Sequence, residues 1–420
     1  MDVIVIGGGL AGLSAAAALG SAGHRVRVLE ARPYLGGRAT SYEAGGETID
    51  NCQHILLRCC INLLDFYKRL GVEKDIVFHR DFTFVEPGGR RSVLRRSLWS
   101  FLSLPFLSLG DKIAIARGLN AIGKEYRTRG DLDAISMLDW LEEKRQPKRA
   151  IERFWRQVLV SAISEELDRM AARHGFQVFR LGFLAAPDAH EFGVPAVPLG
   201  RFYSSEAWQR FPMVEIVLRT AAQAVSIDGN RVSSVATPAG ELCADAYICA
   251  LPFERLAVLG VPVDVSAFEH SPITGIHLWF DRAITDLSQA AMLDRTIQWM
   301  FNKSEGRHIQ IVVSASRSLV DMPRAEVIAL AMRELTEFFP AVREAKLEKA
   351  HVVKEVRAVF SAKPGLEAQR PPSRTGIENL FLAGDWTQSG WPATMESAVR
   401  SGYLAAEAIT GQKFLLPDPA

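Results

Sequence analysis

The sequence predicts an α/β protein in which a Rossmann-like nucleotide-binding domain is assembled from separated segments and carries an inserted α+β domain. Two strand-turn-helix units, one near each end of the 420 residues, and a middle region without nucleotide motifs support this prediction. The chain is 48% hydrophobic, which suffices for a large core, and it is longer than one ordinary domain. We therefore expect two domains.

The first unit, residues 2–30, predicts a buried strand, a glycine turn, a helix of small residues and a second strand that ends in an acid. Gly7, Gly9 and Gly12 fit the GxGxxG pattern, whose glycines permit a tight turn, close approach of backbone amides to a pyrophosphate, and helix-on-strand packing. The helix N-terminus then faces the phosphates. Glu30 lies where a carboxylate accepts both hydroxyls of an adenosine ribose and disfavours NADP.

Six residues after Glu30 the sequence continues with Gly36, Gly37 and Arg38. Two positions without side chains allow close backbone approach to a ligand, and a guanidinium can neutralise phosphate charge. The alternative is a plain turn with a solvated arginine.

The second unit, residues 379–410, predicts a strand, a glycine-acid turn, an irregular loop and a long helix that begins near Ala393. Trp386 and Trp391 flank the glycine-rich loop, as expected if they pack against a ring. The alternative is an ordinary surface strand and helix.

Together, GGGLAGL near the N-terminus, GGR after the acid, and LAGD followed by GWPATMESAVRSG resemble the FAD-dependent amine oxidase and phytoene desaturase superfamily. This resemblance implies an FAD-binding fold in which Asp385 hydrogen-bonds the ribityl chain and the helix starting near Thr394 and Met395 points its amides at the flavin. No cysteine follows Cys249, so we expect non-covalent FAD. The predicted cofactor contacts are Gly7, Gly9, Leu10, Ala11, Gly12, Glu30, Ala31, Gly36, Gly37, Arg38, Val225, Gly384, Asp385, Pro392, Ala393, Thr394 and Met395.

Between the two units, residues 214–225 predict a helix, and residues 231–237 and 245–252 predict strands. In the same superfamily, Val225 and the turn at 250–252 resemble the segment that packs on the adenine side. Simple core packing is an equal alternative for both.

A narrower resemblance, along nearly the whole chain, is to the bacterial hydroxysqualene dehydroxylase family, also called squalene-associated FAD-dependent desaturases. Its most specific pieces here are Asp50-Asn51 with Gln53-His54, and GWPATME. Two departures are Cys52 and Arg58, where relatives usually carry glycine. Cys52 could narrow the pocket or alter substrate choice.

That family implies reductive removal of an allylic hydroxyl from hydroxysqualene to give squalene, with hydride from reduced FAD. The leaving hydroxyl needs an acid, and Asp50 and His54 are the candidates, with Asn51 and Cys52 completing the predicted catalytic set. The alternatives are that Asp50 and Asn51 cap a helix formed by the following apolar run, and that His54 is a helix residue.

The predicted FAD-binding domain comprises residues 1–75, 205–265 and 365–420. The predicted substrate domain comprises residues 76–204 and 266–364, with strands within 274–281, 297–303 and 309–316 and an amphipathic helix near 324–338.

Within the substrate domain, residues 90–109 combine arginines with a run of large apolar side chains that could lie in a lipid interface. The arginines are Arg90, Arg91, Arg95 and Arg96, and the apolar residues are Leu98, Trp99, Phe101, Leu102, Leu104, Phe106 and Leu107. An internal helix capping the pocket is an equal alternative.

A net charge of +1 supplies no field for nucleic acid. Five cysteines without a CxxC predict free thiols in a reducing compartment. Asp2 argues against a signal peptide, and no apolar run is long enough to span a bilayer. We expect a cytoplasmic protein, at most peripheral on the inner face of the cytoplasmic membrane, without a metal site.

One GxGxxG motif leaves no separate nicotinamide domain, so we expect a transient electron donor, either NAD(P)H or a redox protein. The predicted substrate is a long isoprenoid. The main alternative is a carotenoid-type desaturase, followed by an amine oxidase, and the non-enzymatic alternative is an escort protein for prenylated partners.

Overall fold

The computed structural model describes residues 1–44, 46–95 and 97–419. Its strands are β1 (Asp2–Ile6), β2 (Arg25–Leu29), β3 (Ser41–Ala44), β4 (Glu47–Asp50), β5 (Leu56–Leu57), β6 (Ile76–His79), β7 (Phe82–Val85), β8 (Arg91–Leu94), β9 (Phe192–Pro195), β10 (Val214–Val217), β11 (Ala224–Asp228), β12 (Arg231–Thr237), β13 (Gly240–Leu242), β14 (Ala246–Cys249), β15 (His270–Phe280), β16 (Gln289–Met292), β17 (Trp299–Ser304), β18 (His308–Val313), β19 (Leu347–Phe360) and β20 (Leu380–Leu382).

The helices are α1 (Leu10–Ser21), α2 (Ile61–Leu70), α3 (Leu98–Leu102), α4 (Leu109–Glu125), α5 (Met137–Glu143), α6 (Lys148–Ala150), α7 (Gln157–Ile163), α8 (Ala172–Phe179), α9 (Ser205–Trp208), α10 (Arg317–Val320), α11 (Arg324–Phe338) and α12 (Met395–Thr410).

A five-stranded parallel sheet forms one half of the molecule. Its order is β10-β2-β1-β14-β20, so strands from the N-terminal, central and C-terminal parts of the chain lie side by side. The predicted fold class is therefore confirmed. The boundaries of the two domains stay a prediction.

Helices α1 and α12 pack backbone against backbone beside this sheet. A Cβ atom on Gly402 would lie 2.2 Å from the Ala11 carbonyl oxygen and 2.2 Å from Ser14 Oγ. Ser14 Oγ also donates to the Val399 carbonyl at 3.2 Å. Small residues on both helices thus bring the two terminal units together.

A seven-stranded sheet, β19-β15-β18-β17-β16-β7-β8, forms the other half. Because side chains alternate along a strand, Ile276 and Leu278 face the core against α11, whereas Gly275, His277 and Trp279 face the opposite side. On that side Trp279 Nε1 donates to Glu47 at the start of β4. The strands and the helix predicted for this region are confirmed as β15, β17, β18 and α11.

The predicted helix over residues 214–225 is wrong. Val214–Val217 is an edge strand parallel to β2, with Val214 opposite Val26 and Ile216 opposite Val28. Ala224–Asp228 pairs antiparallel with β12. The β-branched residues of this segment complete two sheets, and this pairing outweighs the helical spacing of its apolar residues.

All five cysteines are free thiols, as predicted. Within the described residues, every helix is too short or too polar to cross a bilayer. The same residues contain no group of three or more histidines, cysteines or acids arranged to hold a metal ion.

Candidate active site where the chain ends meet

The first glycine turn requires residues without side chains. Gly7 has φ of +113°, and a Cβ there would lie 2.6 Å from the Ala250 carbonyl oxygen. A Cβ on Gly12 would lie 2.0 Å from the carbonyl oxygen of Gly7. α1 begins at Leu10 with Gly9 as N-cap and has no side-chain cap. The amides of its first turn are therefore available to a phosphate.

The second glycine turn lies directly against the first. The Gly36 amide donates to the Gly8 carbonyl at 2.9 Å, and a Cβ on Gly37 would lie 3.0 Å from Gly9 Cα. Because these glycines have no side chains, a ligand can approach the backbone of both turns closely.

Glu30 ends β2 with both carboxylate oxygens engaged. Oε2 accepts from the Gly8 amide and Oε1 from the Arg32 amide, each at 2.8 Å. These bonds orient the carboxylate, and each oxygen keeps a lone pair for a ribose hydroxyl. The ribose contact, and the contact predicted for exposed Ala31, stay predictions.

Arg38 and Asp385 join the two ends of the chain. Arg38 Nη2 donates to Asp385 Oδ1 at 2.5 Å, and Arg38 Nη1 donates to the Ala358 carbonyl at 2.9 Å. Asp385 follows Gly384 at the end of β20 and is only 6% exposed. The predicted roles of these two side chains toward phosphate and ribityl groups stay predictions, since here each satisfies the other.

Arg370, which the sequence analysis missed, organises the loop between β20 and α12. Its buried guanidinium donates to the carbonyls of Asp385 at 2.9 Å and Trp391 at 2.7 Å, and it pairs with Glu367 at 2.7 Å. The sequence alone does not reveal a buried structural arginine, because most arginines are exposed. The role of Arg370 in holding this loop is visible only in the structure, where the loop encloses its side chain.

α12 begins where the predicted flavin-facing helix was expected. Thr394 is the N-cap, and its Oγ1 accepts from the Ser397 amide at 3.1 Å. Pro392 and Ala393 are buried before it, and Met395 is its first residue. Ser397 Oγ, in the first turn, donates to the Asp385 carbonyl at 3.0 Å, so the positive end of the helix dipole lies beside Asp385.

The two residues predicted on the adenine side have different surroundings. Ala250 contacts the glycine turn, as its distance from Gly7 shows. Val225 is buried in β11 among the apolar residues of the three-stranded sheet. Its cofactor contact stays a prediction.

The segment from Asp50 to His54 is not helical. β4 pairs with β3, placing Asp50 opposite Ser41, and the next helix begins only at Ile61. The alternatives in which Asp50 and Asn51 cap a helix and His54 lies within it are therefore wrong, because strand pairing holds this segment extended.

Asp50 is a buried carboxylate with three neighbours. Its Oδ1 accepts from Ser41 Oγ at 2.6 Å and from the Leu199 amide at 3.0 Å. Its Oδ2 lies 3.6 Å from Lys303 Nζ. Lys303 Nζ also donates to Gln53 Oε1 at 3.0 Å. Asp50, Gln53 and Lys303 are hereafter called the polar triad.

Lys303 was missed by the sequence analysis. It lies near the end of β17, where the pairing with β18 shifts register between Asn302 and Ser304. No local sequence pattern marks such a position. Nearby, His277 Nδ1 and His308 Nε2 are 3.1 Å apart, and burial, followed by the charge of His308, lowers the pKa of His277 to about 3. Burial likewise lowers the pKa of His308 to about 4, so both rings are neutral at physiological pH.

His54 and Cys52 have restricted chemistry. His54 Nδ1 is 2.9 Å from the Cys52 carbonyl, so the neutral ring presents Nε2 as an acceptor. Burial lowers the pKa of His54, which favours a base over the predicted acid. Burial raises the pKa of the Cys52 thiol to about 12, so it is not a nucleophile at neutral pH. The thiol would lie 3.4 Å from a Cβ on Gly275, so it fills space between the sheets.

The other departure, Arg58, faces away from the glycine turns. Its Nε donates to Glu191 at 2.7 Å, and its guanidinium carbon lies 3.9 Å from the centre of the Phe78 ring. It therefore fastens the small sheet formed by β5, β9 and β6.

The chain's own residues fit FAD. The uncapped α1 and the bare glycine turns suit a pyrophosphate, and Asn51 retains a buried Oδ1 without a donor while its Nδ2 donates to the Arg38 carbonyl at 2.6 Å. Such an orphan acceptor beside the Arg38–Asp385 pair fits an N–H or O–H group of a bound cofactor.

Two carotenoid desaturases are similar to this chain over almost its whole length. The 15-cis-phytoene desaturase of Synechococcus elongatus is 25% identical over 98% of this chain and 96% of its own length. The zeta-carotene desaturase of a Synechocystis species is 24% identical over 97% of both chains.

Solved structures share the fold. An oxidoreductase from Methanosarcina mazei has a TM-score of 0.75 at 19% identity and covers 98% of this chain and 100% of its own. Putrescine oxidase bound to putrescine has a TM-score of 0.77 at 16% identity, covering 98% and 99%.

The sequence profile described as flavin containing amine oxidoreductase matches residues 10–410. This match, the glycine turns and the meeting of Arg38 with Asp385 lead to one conclusion: the chain belongs to the flavin containing amine oxidoreductase family and is an oxidoreductase whose cofactor is FAD.

Proposed function

We propose that this oxidoreductase acts on a long isoprenoid hydrocarbon and introduces double bonds into it, as a carotenoid-type desaturase. The observation that carries the proposal is the end-to-end similarity to phytoene and zeta-carotene desaturases. When bound, FAD would supply the chemistry of hydride transfer to or from a substrate carbon. The chain's residues would bind the lipid, exclude water and move the accompanying proton.

A row of aromatic rings supports an apolar substrate. Starting at α3, successive ring centres lie 6.1, 5.9, 5.5, 6.4 and 4.8 Å apart. The rings are Phe101, Phe154, Phe179, Phe183, Phe82 and Phe192. Phe192 pairs with Leu57 in β5, three residues after His54. The row thus links the α3 surface to the segment that carries the polar triad.

The α3 surface is the proposed contact with a membrane, from which such a lipid would enter. Trp99 is 80% exposed, and Leu98 and Leu102 are also exposed, whereas Leu104, Phe106 and Leu107 are buried and anchor the segment. Arg90, Arg91 and Arg95 pair with Glu86, Asp286 and Asp81, and Arg96 lies outside the described residues. The contact would therefore depend chiefly on apolar side chains.

Hydroxysqualene dehydroxylation is the second candidate, and the polar triad favours it. A hydrocarbon offers no partner to a buried carboxylate and an ammonium, whereas a leaving hydroxyl needs a proton donor such as Lys303 Nζ. The Asp50-Asn51 and Gln53-His54 pairs that resemble the dehydroxylase family lie at this cluster. The electron donor for this direction, NAD(P)H or a redox protein, is part of the second proposal.

One anaerobic experiment separates the two directions. Oxidised enzyme is incubated with phytoene, and chemically reduced enzyme with hydroxysqualene, and the extracted hydrocarbons are identified by mass spectrometry. A phytoene product with added double bonds in the oxidised arm supports desaturation. Squalene in the reduced arm supports dehydroxylation. Turnover of putrescine or another amine, with neither lipid product, would overturn both.

Membrane contact has its own test, flotation with liposomes. Replacing Trp99 by Ser should lower the bound fraction, because an exposed ring no longer enters the interface. Val258, which is 62% exposed on the short 3-10 helix Ala257–Leu259, provides the matched control as Val258→Ser. Equal flotation of all three proteins would contradict the assignment of α3.

A further inference from the structure

After α12 ends at Thr410, the chain turns back along the helix. Gly411 has φ of +73° and permits the reversal. The amides of Phe414 and Leu415 then each donate to Glu407 Oε1 at 2.8 Å. Residues 412–419, called the strap below, therefore run from the C-terminal end of α12 toward its N-terminal end.

The strap next contacts α2 through Leu416. The Leu416 amide donates to Asn62 Oδ1 at 2.8 Å, and Asn62 Nδ2 donates to the Leu416 carbonyl at 3.2 Å. The same Asn62 Nδ2 donates to Glu396 Oε1 at 2.8 Å. Since Glu396 is the second residue of α12, the strap is linked to the turn of helix that begins with Met395.

Asp418 makes the last contact of the strap. Its Oδ1 accepts from Trp391 Nε1 at 3.0 Å and from Arg400 Nη1 at 2.8 Å. Arg400 is 8% exposed, and its Nε donates to the Ser389 carbonyl at 3.1 Å. One carboxylate thus fixes both the loop after Asp385 and the side of α12 against which that loop packs.

We propose that the strap retains FAD by clamping the loop of residues 385–394 and the first turn of α12, and that Asp418 is its positioning residue. The strap lies beyond residue 410, where the family match ends, so this clamp is additional to the matched region. The proposal concerns the cofactor and is independent of the isoprenoid substrate.

The test is the rate at which FAD leaves the purified holoprotein, followed by the rise of free-flavin fluorescence after dilution. Asp418→Ala removes a charged acceptor from two buried donors and should speed FAD release by about 10-fold. Asp418→Glu restores the carboxylate and should recover most of the retention. A chain ending at Gly411 should release FAD at least as fast as Asp418→Ala.

Lys413→Ala is the matched control, because Lys413 is a strap residue that is 88% exposed and forms a surface ion pair with Glu407 of α12. Its release rate should equal that of the wild type. The visible flavin spectrum and the melting temperature of the apoprotein are recorded for each variant. A wild-type release rate for Asp418→Ala would overturn the clamp. Faster release would also overturn it if the melting temperature of the apoprotein fell enough to show that the variant is partly unfolded.

Discussion

The glycine turns near the N-terminus and the polar triad differ in what they are built from. Gly7 and Gly12 form their site with backbone atoms a few residues apart, where any side chain would collide. Gln53 and Lys303 are 250 residues apart and meet only because β17 faces the segment after β4. Gly7 and Gly12 therefore tolerate no added atoms, whereas the triad should tolerate substitution structurally and lose function.

The comparison predicts its largest effect at Gly12. Gly12→Val would place a Cβ 2.0 Å from the carbonyl oxygen of Gly7, and only the backbone could give way. We expect destabilisation above about 5 kcal/mol, at the extreme of single substitutions, with little soluble flavoprotein. Soluble yield and the ratio of flavin to protein measure it. Gly123→Val in α4 has open space around it and is the control; equal damage in both would contradict the steric argument.

Substitution of Arg370 tests whether the loop between β20 and α12, like the glycine turns, loses stability when one residue is changed. Arg370→Met leaves buried Glu367 and several carbonyls without a donor, so we expect a loss of about 3 to 5 kcal/mol in unfolding free energy. Denaturant unfolding measures the loss. Exposed Arg282, which pairs with the neighbouring Asp281, serves as the control through Arg282→Met. A stability equal to that of the control would mean that the loop is held by other contacts.

The polar triad should show the opposite behaviour. Lys303→Met and Asp50→Asn should lower turnover by roughly 10- to 100-fold while FAD content stays at the wild-type value, because proton transfer rather than folding is affected. Single-turnover assays with matched flavin content measure this. Exposed Lys74 provides the control, Lys74→Met. Full activity in Lys303→Met and Asp50→Asn would remove the triad from the reaction.

The smallest effect concerns Glu396, a buried group in the first turn of α12. Burial raises its pKa from 4.5 to about 7, so the folded state binds its proton more tightly than the unfolded chain does. Its contribution to stability is full below about pH 4.5 and is lost as the pH rises through about 7.

Glu396→Gln lacks this titration. The melting temperature of the variant minus that of the wild type should therefore rise by roughly 2 to 5 °C between pH 5.5 and 8.5. The histidines contribute the same pH dependence to the melting temperature of both proteins, so their contribution cancels in the difference. A flat difference would show that Glu396 stays ionised across this range.

The sequence predicted the nucleotide half well because its signals are local. GxGxxG, the terminal acid and the start of the C-terminal helix each follow from neighbouring residues, and β1, α1, β2 and α12 lie where they were expected. The helix predicted at 214–225 failed because its apolar spacing fits a helix, whereas the available edge of β2 favours a strand.

The predicted catalytic segment shows the same limit. An acid followed by an apolar run predicts a capped helix, yet pairing with β3 keeps Asp50 extended. The sequence could nominate Asp50 and His54, but Lys303 and Arg370 carry no local pattern. Their partners were known only once the sheets were assembled.

By itself, the sequence determined that both ends of the chain form strand-turn-helix units, because glycine turns and helix starts act through the backbone within a few residues. Only the tertiary structure decided that Arg38 meets Asp385, that Lys303 reaches Asp50, and that Asp418 returns to Trp391. The physical reason is that ion pairs and side-chain hydrogen bonds depend on distance in space, which packing of the sheets and helices sets and sequence separation does not.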